Sequence, residues 1–95
     1  MVLARNWRVR EGELDLIARA GQTIVFCEVK TRRSDAFGIP AEAVTRAKQM
    51  RIRRLAVQWL ADSGERAAGD LRFDVAGVTP DGRGQWIVDV LESAF

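Results

Sequence analysis

The 95-residue sequence has no histidine and a single cysteine, Cys27. Disulfide frameworks, Cys/His zinc sites and imidazole-based catalysis are therefore excluded together. Chemistry is left to carboxylates, lysines and hydroxyls. The longest stretch without a charge, Ala20 to Cys27, has eight residues, far short of the roughly 20 needed to span a bilayer, so no transmembrane helix is expected. Arginines at 5, 8 and 10 interrupt the first ten residues, which contain no apolar core of signal-peptide length. A cytoplasmic protein is the expectation. What is present, 47% hydrophobic and 29% charged residues, is the balance of one small folded domain. No internal repeat, low-complexity tract or change of composition divides it, so residues 1–95 read as a single domain. A chain this short buries only about 60 to 65% of its unfolded surface, and its stability is marginal unless a metal or partner adds to it.

Charge is scarce as a sum, at +2, but uneven along the chain. Residues 1–54 carry twelve basic and six acidic side chains, and residues 55–95 carry three and seven. The densest basic segment is Arg46, Lys48, Arg51, Arg53 and Arg54, with no acid from 43 to 61, and Lys30, Arg32 and Arg33 precede it. Such a block suits a polyanion. A solvated basic helix face is the alternative.

Periodicity predicts the elements. Val2 to Val9 reads as a first strand, and Leu14–Ala18 and Thr23–Val29, apolar on both faces and rich in β-branched residues, read as strands at the centre of a sheet. A two-residue Gly21-Gln22 loop between them suits a type II′ turn, with glycine at its first central position. Ser34 to Val44 reads as a loop with one short turn. Ile52, Leu55, Ala56, Trp59 and Leu60 then recur at the spacing of one helical face, with Thr45 as N-cap and Gly64 as stop. Asp62 to Asp70 reads as a polar loop. Strands over Leu71–Val78 and Trp86–Leu91, joined through Thr79 to Gln85, complete a β-β-β-α-β-β order. The predicted architecture is an α/β or α+β sheet with the helix on one face.

One constellation could carry chemistry. Glu28 and Lys30, two apart in a strand, point to the same side. If Gly21-Gln22 is the loop, Ala20 pairs with Thr23, and counting outward sets Asp15 opposite Glu28 and Glu13 opposite Lys30. Two carboxylates so close in apolar strands repel each other unless a cation or a shared proton relieves them. Mg²⁺ held by Asp15, Glu28 and the Val29 backbone carbonyl would do so, with water or phosphate oxygens completing the octahedron. Lys30 beside it could orient or deprotonate water or stabilise a phosphate, which together amounts to hydrolytic phosphodiester cleavage. Two alternatives stand at this point. A three-residue loop would send the two carboxylates to opposite faces. Alternatively, Lys30 neutralises Glu28 and Asp15 meets an arginine, giving an ion-paired sheet end.

Gly12-Glu13-Leu14-Asp15-Leu16-Ile17-Ala18, Val25 to Arg32, Phe37-Gly38, Glu42 to Thr45, Lys48-Gln49 and Arg72-Phe73-Asp74-Val75 together resemble the YraN-type bacterial family. That family is in turn similar to the restriction-endonuclease-like PD-(D/E)xK nucleases, archaeal Holliday-junction resolvases included. The resemblance implies a restriction-endonuclease-like fold with a central mixed sheet and the main helix on one face. It also implies Asp15, Glu28 and Lys30 as the motif's D, E and K. Members usually begin with a helix before the first strand, often bearing a glutamate that can support the metal site. Here Met1 opens almost directly on the first strand, so that helix and that acid are expected to be missing. Arg46 stands where a proline is common.

The resulting expectation is a Mg²⁺- or Mn²⁺-dependent endonuclease acting on DNA, branched or damaged DNA included. Asp15, Glu28 and Lys30 are the catalytic residues, and Asp15, Glu28 and the Val29 carbonyl the metal ligands. Glu13, Lys48 and Gln49 are candidate accessory residues, with Glu13 expected to pair with Lys30 or Arg32. Arg32, Arg33, Arg46, Lys48, Arg51 and Arg53 are candidates for the nucleic-acid backbone. The rivals are a nucleic-acid-binding module without turnover and a structural or protein-interaction domain. Asp74 is expected in a structural ion pair, Cys27 as a buried inert thiol, and Trp7, Trp59 and Trp86 in core or interface packing. Self-association into a homodimer through uncovered apolar surface is a further expectation.

Overall fold

The computed structural model describes residues 1–31, 44–66 and 69–95. The predicted loop over Ser34 to Val44, Val44 excepted, and the candidates Arg32 and Arg33 lie outside these. The described chain forms β1 (Val2–Val9), β2 (Gly12–Ala20), β3 (Thr23–Thr31), α1 (Arg46–Ser63), β4 (Leu71–Pro80) and β5 (Trp86–Leu91). The strands make one five-stranded sheet in the order β1-β2-β3-β4-β5, so β3 is central. Only β3 and β4 run parallel; the other pairs are antiparallel. This mixed α/β sheet matches the architecture read from the sequence.

Local chemistry sets the element ends. The Thr45 hydroxyl accepts a hydrogen bond from the Lys48 amide at 3.2 Å, satisfying a donor that the first helical turn leaves free. Gly64 closes the helix at φ 75°, the left-handed conformation of a helix stop. Helix therefore includes Asp62 and Ser63, two residues more than the predicted loop allowed. Strands also run past their predicted ends: β2 starts at Gly12 because Gly12 and Glu13 pair with Val9 and Arg8, and β4 continues to Pro80, opposite Trp86. The shortened β4–β5 turn is organised by Asp81, whose Oδ1 accepts from the amides of Arg83 and Gln85 at 2.6 and 3.1 Å.

The β2–β3 turn is the two-residue one. Gly21 has φ 61° while Gln22 does not adopt positive φ, which fits type II′. Ala20 pairs with Thr23, and the register continues to Leu16 opposite Cys27.

The core lies between the sheet and α1. Ile52, Leu55, Ala56 and Trp59 pack onto Leu14, Ile17, Ile24, Phe26, Phe73 and Val75. Phe26 is its centre, edge-on to Trp59 at 5.9 Å and stacked with Phe73 at 5.5 Å. The helix approaches β2 so closely that a Cβ on Gly12 would sit 3.1 Å from Leu55 Cδ1. At the chain end, the Ala94 amide donates to the Phe73 carbonyl and Phe95 stacks on the Phe73 ring. Trp7 packs at the edge of this core and Trp59 within it, whereas Trp86 is 61% exposed on β5.

Candidate active site at the end of the central strands

β2 carries an irregularity that strict alternation does not anticipate. Leu14 and Ile17 are three residues apart, a spacing that puts side chains on opposite faces of a regular strand, yet both belong to the helix-side core. The change of phase falls at Asp15. There the ladder to β3 stops at Leu16/Cys27, and Asn6, facing Asp15 on β1 by the register on either side, has φ 50°. The Val29 amide donates instead to Asp15 Oδ2 at 2.9 Å. A strand residue sends its N–H and C=O to the same edge, so the Val29 carbonyl also faces β2.

Asp15, two residues from Ile17, keeps the helix-side phase and meets Glu28 there. The Glu28 side chain is only 10% exposed, and Lys48 Nζ from the first turns of α1 lies 3.5 Å from its Oε1. The packing of Leu14, Leu16, Phe26, Cys27 and Ile52 around the two carboxylates leaves no water-sized space. Burial, then hydrogen bonding and repulsion from Asp15, raise the Glu28 carboxyl to about 7, against the opposing pull of Lys48 and Lys30. Lys30 lies in the same group of charges. A hydrogen bond with Lys48, followed by burial and by repulsion between the two ammoniums, lowers its pKa, while Glu28 and Asp15 oppose the shift.

These shifts carry a testable sign. Folded Glu28 holds its proton up to about pH 7, whereas in the unfolded chain it ionises near its ordinary value of 4.5. The associated stability is complete below the unfolded value and is lost as pH rises through the folded one. Unfolding melts of the metal-free chain should fall from about pH 5 to pH 8 by roughly 2 kcal/mol, allowing for solvent screening. Glu28→Gln should flatten the profile and raise Tm at the alkaline end; a native profile that is flat or rising would contradict the assignment.

The other sequence-predicted residues divide. Glu13 pairs with Arg8, its neighbour across β1–β2, at 3.0 Å, and among the described residues not with Lys30, because the phase change at Asp15 separates it from the Glu28 side. Gln49 turns back to cap the Val44 carbonyl at 3.0 Å. Lys48 joins the site. Arg46 is exposed at the helix start. Arg51 and Arg54 line a surface cavity of about 330 Å³ with Glu11, Leu55 and Gln58. Arg53 lies on another side of the helix, its guanidinium 4.7 Å from the Phe73 ring centroid. The basic residues therefore fan around α1 and do not form one stripe.

Asp74 is structural. It is 3% exposed, takes Nε and Nη2 of Arg72 at 3.0 Å, and accepts the Ser93 amide at 3.0 Å. Cys27, its partner across β3–β4, is half-buried; burial first, then Asp74, Asp15 and Glu28, raise its thiol to about 11, which keeps it unreactive. Asn6 is the residue that sequence reasoning missed. Its signal was an asparagine within a strand, one of the few side chains that tolerate positive φ.

Two converging, largely buried carboxylates and a nearby carbonyl are hard oxygen donors that suit Mg²⁺ or Mn²⁺. Among the described residues no group of three or more acidic, cysteine or histidine side chains assembles, so solvent or substrate oxygens would have to complete the coordination, and the close packing around the carboxylates would have to part to admit them.

The described residues define an α/β protein with a helix on a mixed five-stranded sheet, consistent with a restriction-endonuclease-like fold, and with paired carboxylates where the β2–β3 ladder stops. The family model described as uncharacterised protein family UPF0102 matches residues 1–78, and this chain belongs to that family, the YraN-type family anticipated from its motifs. A UPF0102 protein of Nocardia farcinica is 52% identical over 94 residues, covering 99% of this chain and 73% of that protein. A UPF0102 protein of Frankia alni is also 52% identical, over 99% of this chain and 78% of its own length. One from Beutenbergia cavernae is 58% identical over 81% of this chain and 64% of its own length. The chain thus spans between 64% and 78% of these relatives. No helix of the described residues is long and apolar enough to cross a membrane.

Proposed function

We propose that this chain is a divalent-metal-dependent endonuclease domain acting on DNA. The observation that carries the reading is the meeting of Asp15 and Glu28 beside Lys48 and Lys30, with Glu28 raised to about 7 by burial and by its closeness to Asp15. One Asp15 oxygen is committed to the Val29 amide, so the metal would take the other, together with Glu28 and the Val29 carbonyl. Bound there, Mg²⁺ or Mn²⁺ would polarise a phosphodiester and lower the pKa of a water. Lys30 orients that water or neutralises the phosphate, and Lys48 brings a second positive charge to the same point. The first turn of α1 carries no acid, so its free amides and dipole also favour a phosphate. Exposed Arg46 and Arg51 lie on the same helix and would hold flanking backbone.

The test is cleavage of duplex, single-stranded and four-way-junction DNA with Mg²⁺ or Mn²⁺, comparing the native chain with Glu28→Gln. The expected outcome is metal-dependent cleavage, reduced about a thousandfold or more in the variant, together with binding that weakens steeply with salt. Salt-dependent binding without cleavage under any condition would favour a binding module that lacks turnover. Neither binding nor cleavage would leave a structural or interaction domain.

A further inference from the structure

The two edges of the sheet are built differently. β1 has a register shift between Val2 and Ala4, a left-handed Asn6, and exposed Arg5 and Arg8, devices that discourage another strand from adding. β5 has neither the register shift nor a left-handed residue, and carries one charge, Asp89. It pairs with β4 in unbroken register from Val75/Leu91 to Pro80/Trp86, all six residues are exposed, and five of them are apolar. Trp86, Val88 and Val90 are 61, 58 and 53% exposed on one face, and Ile87 and Leu91 are 48 and 38% exposed on the other. Its outer row of backbone donors and acceptors is satisfied fully only by another strand.

From this edge we infer that β5 pairs antiparallel with β5 of a second copy, joining two sheets into one of ten strands. A two-fold axis normal to the sheet pairs residues of the same parity. An axis through Val88 sets Trp86 opposite Val90 and Ile87 opposite Asp89. An axis through Asp89 would instead oppose two carboxylates, which is destabilising. The guarded β1 edge disfavours a head-to-tail contact, so the assembly closes at two copies. One strand pair buries less than about 1,200 Å², the range of weak, exchanging complexes, so dissociation in the micromolar range is expected. Because the axis keeps like faces together, both Asp15/Glu28 pairs lie on one side of the sheet, with the two β3 strands that carry Glu28 five strand spacings, about 24 Å, apart across the sheet. On the nuclease reading, and only there, this presents two cutting centres to one duplex; the dimer itself does not depend on that reading.

Sedimentation equilibrium of the whole chain from about 1 to 500 µM, bracketing a weak interface, should show the mass rising to twice the monomer. Val88→Lys, which sets two ammoniums against each other on the axis, should hold it at the monomer with an unchanged far-ultraviolet circular dichroism spectrum. Val57→Lys, on the exposed outer side of α1, should still dimerise. Should Val88→Lys fail to fold, Val88→Cys in a Cys27→Ser background gives a second measurement: mild oxidation should yield a covalent dimer. A native chain that stays monomeric throughout, a Val88→Lys dimer, growth beyond two copies, or no covalent dimer from Val88→Cys would overturn the inference.

Discussion

On the proposed metal-dependent reading, Asp15→Asn is expected to weaken Mg²⁺ and Mn²⁺ binding by about a hundredfold or more, since it would remove a charged ligand and not merely a residue supporting one. The substitution is chosen because the asparagine carbonyl can still accept the Val29 amide, a bond of 2.9 Å in the native chain. The fold around Asp15 is thereby kept while the charge is lost. A second, independent readout follows from the same change. Asp15 contributes both a hydrogen bond and repulsion to the raised Glu28 pKa of about 7, so Glu28 should titrate closer to its ordinary value in the variant. Calorimetric titration with each metal and carboxyl-carbon NMR over pH make the two measurements. If metal affinity is unchanged while the Glu28 titration moves, the two carboxylates are neighbours but not a metal site. If neither changes, Asp15 and Glu28 do not interact in solution.

Phe26→Ala should cost about 3–5 kcal/mol and lower Tm by roughly 15–30 °C for a domain of this size. Phe26 is 1% exposed and joins two elements of the core, with Trp59 of α1 edge-on and Phe73 of β4 stacked on it. Truncation leaves a cavity that the sheet is too rigid to close. Since small domains have only about 5–15 kcal/mol in total, this variant should lie near the limit of folding. Phe26 also precedes Glu28 by two residues on the same face, so loosening it should disturb the helix contact that puts Lys48 beside Glu28. Thermal unfolding followed by circular dichroism checks the magnitude. A loss below about 1 kcal/mol would mean that packing of α1 on β3 is not what holds the sheet.

What the sequence determined by itself was the part governed by short-range rules. Val2–Val9 and Trp86–Leu91 are strands with the bounds read from alternation and β-branched content. Thr45 and Gly64 bracket α1 because a hydroxyl cap and a left-handed stop are chosen by neighbouring amides and carbonyls, not by distant packing. Gly21 selected the two-residue turn, and through it the register that sends Asp15 toward Glu28. Only the tertiary structure decided the rest. Asn6 breaks the two-residue period at Asp15, which gives Glu13 to Arg8 and leaves Lys30 with Lys48. The crossing of α1 over the sheet brings Lys48 to Glu28, twenty residues earlier, and carries Arg53 away to Phe73. The return of the chain end supplies the Ser93 amide to Asp74 and Phe95 to Phe73. Alternation, caps and turns act over a few residues, whereas these contacts depend on where separate elements come to rest against one another, and no local pattern in the chain encodes that.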